Sequence, residues 1–444
     1  RLPDALEFPI IPLSPGALAS GFLFSGRIRW MQRRGVQNLA DYVASNEAWF
    51  EQIRQTIQSQ TNGPDLQRLW HMGMKRHIKN GRWVVLGIAT HSADYTLKLR
   101  RQIEALVGPQ DAGILIANLS QDDAVLESLG PLLGLAKLAR GELSRADYLA
   151  AYGHRGPDEF ELSAPRPAED PTWLEQELQS VIRSPVDVEG LLAKQKEAFE
   201  AALKRLRDRF PDAARRFEPR LVESAHRACL RELARSAYTR DRWATRLFAL
   251  RAGELTGLGD QVFFLTLPEL LSLLSGDRSV VARIESRQAA YQQYQALPPP
   301  PAVIRGPFDP FAWAANPIRP SDIFVAHQAL LAQPASNRIE GAPGSAGVVE
   351  GLVRVIERPE HGDQLQPGEI LVASQTDIAW TLLFPRAAAV ITDIGAPLSH
   401  AAIVARELGI PAVVGCGNAT ARLRTGDRVR VDGGRGMVEI LERC

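Results

Sequence analysis

Apolar residues recur at three- and four-residue steps through much of the first 296 positions, which predicts amphipathic helices. The pattern is clear in 43–60 and around 121–152. It is most regular from 188 to about 258, where charged residues occupy the opposite side. Pro211 and Pro219 interrupt that stretch, so we expect at least two long helices there rather than one.

The pattern changes briefly after residue 258. Residues 262–266 are a short apolar run that favours an extended piece. A helix is predicted to follow from 267 to about 274, with Pro268 in its first turn, where a missing N–H costs little.

Prolines dominate the next segment. Four are consecutive at 298–301, and Pro307, Pro310, Pro317 and Pro320 follow. This composition predicts a semi-rigid connector, 297–338, in extended or polyproline conformation.

From about Gly341 the pattern becomes one of short β-rich runs. Strands are predicted at 348–356, 369–373, 388–393, 411–415, 428–431 and 437–441, with one helix at 399–408. The sequence therefore predicts a multidomain chain with a mostly α-helical domain (1–296), a proline-rich linker (297–338) and a C-terminal α/β domain (339–444).

Composition narrows the classes of function. The 52 Lys+Arg residues nearly balance the 51 Asp+Glu, which gives no electrostatic basis for binding nucleic acid. No uninterrupted apolar run reaches the ~18 residues of a membrane span. The three cysteines are far apart and form no CxxC pair, which is typical of a reducing compartment. We therefore expect a cytoplasmic protein without nucleic-acid or membrane partners.

Candidate chemistry is concentrated in residues 392–415. A strand is predicted to end at Asp393, a tight turn through Gly395 follows, Ser399 lies near the cap position and His400 opens a helix. Backbone N–H groups and the helix dipole favour an anion there, such as a phosphoryl group on the imidazole. Neutral imidazole is also a competent nucleophile. From chemistry alone, however, a histidine that merely caps a surface helix is the commoner interpretation.

The whole string resembles the phosphohistidine mobile domain of the phosphoenolpyruvate-utilising enzymes. Residues 399–413 read Ser-His-Ala-Ala-Ile-Val-Ala-Arg-Glu-Leu-Gly-Ile-Pro-Ala-Val, and they follow the family pattern throughout. Similar flanking pieces are 344–347, 375–377 with Trp380, 425–427 and 431–433. The resemblance implies that His400 is phosphorylated and that the domain swivels between two active sites.

The order of the domains indicates which members are most similar. Only a few residues follow the last predicted strand in this sequence, and a phosphoenolpyruvate-binding TIM barrel needs roughly 200, so we expect no such barrel. The arrangement resembles rifampicin phosphotransferase and phenylphosphate synthase-type dikinases, and the loops around 152–162 and 165–171 are similar to that group. No ATP-grasp pattern is evident. We therefore expect ATP and Mg²⁺ to bind an ATP-grasp partner subunit, or a missing N-terminal part, rather than this chain.

The helical domain is expected to bind a small-molecule hydroxyl acceptor, which we expect to be apolar and phenolic. Arg231 and Arg235 share a helix face and could clamp a phosphoryl group, with Glu232 between them. His154 could act on the acceptor hydroxyl. Four further residues are expected to contact the substrate: Arg155, Arg406, Ser399 and Gly395. No metal ligands are predicted in this chain.

The competing interpretation of Arg231 and Arg235 is that they lie on an ordinary solvated helix face. The competing interpretation of His154 is that it belongs to a loop held in place by hydrogen bonds to neighbouring helices. Arg406 is as easily a residue that braces its helix. Two alternative functions also remain: a non-catalytic phosphocarrier or regulatory subunit, and an ATP-dependent condensing ligase that uses a phosphorylated intermediate.

Overall fold

The computed structural model describes residues 15–117, 129–183, 187–301, 303–320, 323–326 and 336–444. Part of the helical pattern predicted around 121–152 lies outside these ranges. The helices up to residue 295 are α1 (Pro15–Ser59), α2 (Gly63–Leu69), α3 (Lys75–Leu115), α4 (Gly130–Ala139), α5 (Arg145–Tyr152), α6 (Pro171–Arg183), α7 (Val188–Arg209), α8 (Pro211–Thr256), α9 (Leu267–Leu274) and α10 (Ile284–Gln295).

Three long helices, α1, α3 and α8, form the centre of this helical body. Leu39 of α1, Val84 and Ile88 of α3, and Ala234 and Ala237 of α8 share one buried apolar cluster. Burial of such a stripe is the main force that holds amphipathic helices together. Among the described residues, no helix is both long and apolar enough to cross a membrane.

Two local predictions in this body are wrong. Pro211 does begin a new helix, but Pro219 lies inside α8, where the buried side chains of Phe217 and Leu221 hold the helix against its neighbours. The piece predicted as extended is a 3₁₀ helix, Gly259–Phe264, with Val262 buried. A short apolar run does not by itself distinguish a strand from a buried helical turn.

The proline-rich segment contains more structure than an extended connector. Two short parallel strands, β1 (Val303–Arg305) and β2 (Ile323–Val325), pair in register, and α11 (Pro310–Ala315) lies between them. Asp309 caps α11 by accepting from the backbone N–H groups of Phe311 and Ala312. The prediction of an extended or polyproline connector is therefore wrong within residues 303–320, because they contain the helix α11.

The C-terminal domain is built on one eight-stranded sheet. Its strands are β3 (Arg338–Glu340), β4 (Ala342–Ser345), β5 (Val348–Val355), β6 (Ile370–Ala373), β7 (Ala389–Thr392), β8 (Ala412–Val414), β9 (Arg428–Asp432) and β10 (Met437–Glu442). They lie in the order β3-β10-β9-β5-β6-β7-β8-β4. Neighbours from β5 to β8 are parallel, and the other pairs are antiparallel.

Two helices cover the sheet, α12 (His400–Glu407) on one face and α13 (Ala419–Arg422) on the other. Burial on both faces explains why β6 is apolar throughout and β7 is apolar up to its last residue, Thr392. The six predicted strands and the predicted helix correspond to β5–β10 and α12 within about two residues at each end. The short strands β3 and β4 were not predicted.

The C-terminal domain packs directly on the helical body. Leu129, Leu132 and Val188 of the body belong to the same buried cluster as Phe384 and Ile410 of the sheet domain. Two polar contacts flank it: Gln195 Nε2 donates to the carbonyl of Arg406 at 2.9 Å, and Arg100 Nη1 donates to that of Pro343 at 3.0 Å. These contacts fix which surface of the sheet domain faces the body.

Candidate active site at His400

His400 is the first residue of α12, directly after β7 and a tight turn. Ser399 is the N-cap and has extended backbone angles, but its side chain makes no capping hydrogen bond. Ser399 Oγ is buried and has no hydrogen-bond partner among the described residues. The turn is packed closely, because a Cβ on Gly395 would come within 2.9 Å of Val414 Cβ. The turn can therefore pack this closely against Val414 only because residue 395 is a glycine.

Both ring nitrogens of His400 face threonine hydroxyls. Thr376 Oγ1 lies 3.4 Å from Nδ1, and Thr381 Oγ1 lies 3.2 Å from Nε2. The ring of Phe384 meets the imidazole edge-on, with 6.1 Å between the ring centroids. These three contacts, all from the segment between β6 and β7, hold the ring in one orientation. Sequence reasoning missed them, although Thr376 lies in a stretch that resembles the family.

The imidazole is strongly biased towards its neutral form. Burial, followed by the charges of Arg235 and Arg155, lowers the pKa of His400 from its ordinary value of 6.5 to about 3. A neutral ring keeps a lone pair on one nitrogen at physiological pH, as a nucleophile requires. The two arginines belong to the helical body, so the body itself contributes to this shift.

Arg155 and Arg235 are joined by one buried carboxylate. Glu159 Oε2 accepts from Arg155 Nε at 2.9 Å, and Glu159 Oε1 accepts from Arg235 Nε at 2.8 Å. Although burial favours its protonated form, the two guanidinium groups keep the pKa of Glu159 below its ordinary value. Glu159 thus positions both arginines, and the sequence analysis gave it no role in the site.

Arg155 has side-chain donors that the described residues leave without an acceptor. Its Nη1 and Nη2 atoms are buried, and neither has a hydrogen-bond partner within the described part of the chain. An unpaired buried donor is costly, and such groups recur where a ligand completes the hydrogen bonding. A phosphoryl group on His400 offers three acceptor oxygens of the kind that a guanidinium binds best.

The loop that carries Arg155 also contacts the sheet domain through its backbone. Asp158 has a left-handed conformation (φ 51°), and among the described non-glycine residues it is alone in this. Its N–H donates to the carboxylate of Asp377, whose pKa is raised by burial and by the nearby carboxylates of Asp158 and Glu159. Unusual backbone of this kind is typical of functional contacts.

The other predicted site residues lie around this centre rather than within it. Arg231 Nε donates to Glu232 Oε1 at 3.1 Å, so these two form a pair beside the site. His154 is buried, its Nε2 lies 2.8 Å from Ser236 Oγ, and burial with Arg240 and Arg155 lowers its pKa well below the ordinary value. Its surroundings are those of a structural residue of the helical body.

Arg406 braces the turn before α12. Its Nη2 donates to the carbonyl oxygens of Gly344 and Pro397 at 2.6 and 2.7 Å. Burial, with Arg100 and Arg231 nearby, lowers its pKa to about 10. The structure therefore gives Arg406 a supporting position. No group of three or more His, Cys, Asp or Glu side chains suited to a metal ion occurs among the described residues.

Two family profiles match the chain. Residues 365–436 match the mobile domain of the PEP-utilising enzymes, and residues 98–232 match the fourth domain of rifampicin phosphotransferase. The first match contains His400, both threonines that face it and the whole of α12. The C-terminal domain belongs to the PEP-utilising mobile domains. The second match contains Arg155, Glu159 and Arg231 of the helical body, whereas Arg235 lies just beyond it.

Several relatives are similar in sequence to about two thirds of the chain. An uncharacterised protein of Mycobacterium tuberculosis is 35% identical over 306 residues, which are 66% of this chain and 31% of that protein. A prodigiosin synthesizing transferase of Serratia marcescens is 32% identical, covering 67% and 33% respectively. A rifampicin phosphotransferase of Bacillus subtilis is 30% identical, covering 69% and 36%. The matched part of this chain thus spans about a third of the length of these relatives.

Proposed function

We propose that this chain is the acceptor-and-carrier part of a phosphotransferase, in which His400 carries a phosphoryl group to a hydroxyl compound held by the helical body. The observation that carries the proposal is that the charge of Arg155 acts on a neutral His400, while the two terminal nitrogens of Arg155 have no hydrogen-bond partner among the described residues. Relatives named as phosphotransferases support the same class of reaction.

The transfer step needs positioning and positive charge rather than elaborate chemistry. The hydroxyl oxygen attacks phosphorus, the P–N bond of the phosphohistidine breaks, and the electron pair returns to the imidazole nitrogen. The hydroxyl proton leaves to the released imidazole or to water. Arg155 and Arg235 stabilise the charge on the phosphoryl oxygens, and Glu159 keeps both guanidinium groups in place.

Loading of His400 is proposed to occur elsewhere. An ATP-grasp domain or subunit, with ATP, Mg²⁺ and one water molecule, would transfer the β-phosphoryl group to His400, release AMP and release the γ-phosphoryl group as phosphate. The mobile domain would then swivel back to the helical body. The residues between the two domains, with β1, α11 and β2, would have to accommodate this movement.

The test is phosphate labelling with a matched histidine control. The chain, its ATP-grasp partner, Mg²⁺ and β-labelled ATP should give acid-labile label on the wild type and on His361→Asn, but none on His400→Asn. His361 is an exposed histidine of the same domain, outside the site. Unlabelled wild type with an active partner, or label on His400→Asn, would contradict the proposal.

A chase with hydroxyl compounds separates the functions that remain. Label that moves to a free phosphate ester supports the phosphotransferase. A condensed product would instead favour an ATP-dependent ligase with a phosphorylated intermediate, an alternative that the similarity to the prodigiosin synthesizing transferase keeps open. Label that no acceptor removes would indicate a phosphocarrier or regulatory subunit.

A further inference from the structure

The groups around His400 come from two different domains. Arg155 and Arg235, the two charges that act on its ring, both belong to the helical body. Thr376 and Thr381, whose hydroxyls face its two nitrogens, belong to the mobile domain itself. When the mobile domain leaves the body, the ring therefore keeps its threonines and loses its arginines.

The docked, unphosphorylated site leaves part of Arg155 unsatisfied. Only 1% of its side chain is exposed, and its Nε donates to Glu159. Nη1 and Nη2 have no hydrogen-bond partner among the described residues. Burying such donors without acceptors costs free energy. A phosphoryl group on His400 can remove this cost only while the two domains are in contact.

The charges on the helical body also favour a negative group at His400. Burial, and then the charges of Arg235 and Arg155, lower the pKa of the ring, so the potential there disfavours a proton. A positive potential that disfavours an imidazolium favours a group of opposite charge in the same place. A phosphoryl group supplies that charge, together with oxygens that accept hydrogen bonds from guanidinium groups.

Two carboxylates at the contact act in the opposite direction, but both are already paired. Glu159 accepts from Arg155 and from Arg235. Asp377 accepts from backbone N–H groups, and the charge of Arg235 acts on it as well. The arginines have the larger effect at His400, because the charged groups that act on its ring lower its pKa rather than raise it.

The threonine contacts do not alter this balance. A phosphoryl group on either ring nitrogen replaces one hydroxyl, that of Thr376 at 3.4 Å from Nδ1 or that of Thr381 at 3.2 Å from Nε2. Since both threonines move with the mobile domain, this replacement costs the same in the docked and undocked states and cancels from the docking equilibrium. The difference between the two states is therefore set by the two arginines.

We propose that phosphorylation of His400 strengthens docking of the mobile domain on the helical body about tenfold to a hundredfold, and that transfer of the phosphoryl group to the acceptor releases the domain again. Arg155 supplies most of this effect through Nη1 and Nη2, and Arg235 supplies the rest. The inference rests on the proposed function, since it takes His400 to carry the phosphoryl group. It adds the order of events: the loaded domain docks, and the unloaded domain leaves to be loaded again.

A matched pair of variants tests this without any phosphoryl donor. His400→Glu places a negative charge at the site, and His400→Gln has nearly the same size without the charge. Docking is followed by energy transfer between dyes on Cys444 and on Ser59→Cys. All proteins carry Gln195→Ala, which removes the hydrogen bond to the carbonyl of Arg406 and weakens docking into a measurable range. We expect the Glu variant to dock about tenfold more tightly than the Gln variant.

The dependence on Arg155 is measured with the same pair of variants. The pair is compared in three backgrounds: Arg155→Gln, Arg235→Gln and Arg145→Gln, the last of which replaces an exposed arginine paired with Glu175. The tenfold difference should fall to about twofold in Arg155→Gln, shrink in part in Arg235→Gln and stay unchanged in Arg145→Gln. Equal docking of the Glu and Gln variants, or a difference that Arg155→Gln leaves intact, would overturn the proposal.

Phosphorylation itself is tested with phosphoramidate, a small donor that needs no ATP-grasp partner. The imidazole nitrogen attacks phosphorus, the P–N bond of the donor breaks and ammonia leaves. Phosphorus NMR gives the fraction of chain loaded, and His400→Asn treated in the same way accounts for the other histidines. The loaded chain should dock about tenfold to a hundredfold more tightly than the unloaded chain. Equal docking of the two would contradict the proposal.

These measurements separate the inference from the proposed function. Charge-dependent docking without transfer to any hydroxyl compound would contradict the phosphotransferase and leave the docking effect. Transfer to a hydroxyl compound, with equal docking of His400→Glu and His400→Gln, would do the reverse.

Discussion

At the scale of single residues, the most informative feature of the site is a buried arginine, Arg155, with more hydrogen-bond donors than acceptors around it. Arg155 is buried and uses only Nε, on Glu159, while Nη1 and Nη2 have no partner in the described structure. Burying a charged group with open donors costs free energy. This cost is offset if a phosphoryl group accepts hydrogen bonds from Nη1 and Nη2. Arg155 is therefore a stronger indication of phosphoryl binding than the more exposed Arg235.

Arg155→Gln is expected to slow phosphoryl transfer from phosphohistidine about tenfold to a hundredfold, since it removes charge-assisted hydrogen bonds to the phosphoryl oxygens. Single-turnover chase of the phosphorylated chain measures this. Arg145→Gln, an exposed arginine paired with Glu175, is the control and should behave as wild type.

Because Arg155→Gln also leaves Glu159 partly unpaired, the double variant Arg155→Gln/Glu159→Gln is needed as well. It should recover stability without recovering the rate. A transfer rate for the single variant equal to that of the control would show that Arg155 does not contact the phosphoryl group.

At the scale of elements, α12 is held at its start by close packing rather than by a side-chain cap. Gly395 packs against Val414. A Cβ on Gly415 would come within 2.6 Å of the carbonyl oxygen of Gly395, so the two turns are in close contact. Arg406 ties the end of the turn to Gly344 and Pro397. The position of His400 therefore depends on β8 and its following turn as much as on its own helix.

Gly395→Ala should destabilise the mobile domain by roughly 1–3 kcal/mol, the usual cost of forcing a methyl group into a packed site. Urea unfolding followed by a probe on this domain measures the loss. Gly26→Ala, on α1 with open space around its Cβ position, is the control and should be neutral or slightly stabilising. Equal stability of both variants would mean that the turn can relax around the added methyl.

At the scale of the whole molecule, docking of the mobile domain on the helical body changes the protonation of two groups. Burial, and then the charges of Arg235 and Arg155 of the helical body, lower the pKa of His400 from 6.5 to about 3, so docking disfavours a proton there. Burial, and then the charge of Glu360 of the mobile domain, raise the pKa of Glu177 on α6 from 4.5 to about 7, so docking favours a proton there. The two effects act in opposite directions between about pH 4.5 and 6.5.

The sign of each effect predicts the behaviour of variants. As pH falls below 6.5, protonation of His400 in the undocked state lowers the docking equilibrium constant by up to about tenfold per pH unit. As pH falls from 7 towards 4.5, protonation of Glu177 in the docked state raises the same constant. The wild type should therefore show a nearly flat dependence between these limits. His400→Asn should dock more tightly on acidification, and Glu177→Gln less tightly.

Energy transfer between a dye on Cys444 and one on Ser59→Cys follows docking directly. Identical pH profiles for wild type and both variants would show that these groups do not sense docking. The double variant, with neither group, should be flat over the whole range and serves as the control.

The sequence by itself determined the local elements of the mobile domain and the identity of its central residue. Short β-rich apolar runs and the Ser-His-Ala-Ala string depend on neighbouring residues only, so β5–β10, α12 and His400 could be predicted from them. Short strands such as β3 and β4 are formed by pairing with distant partners, and their own residues carry little signal.

Only the tertiary structure decided what surrounds His400. Thr376 and Thr381 reach it from another connection of the same domain, and Arg155, Glu159 and Arg235 come from two segments of the helical body about 75 residues apart or more. It also showed His154 and Arg406 to be buried among structural partners. Side chains in one site are brought together by packing between elements, and the energy of that packing depends on distances in space that the order of residues does not encode locally.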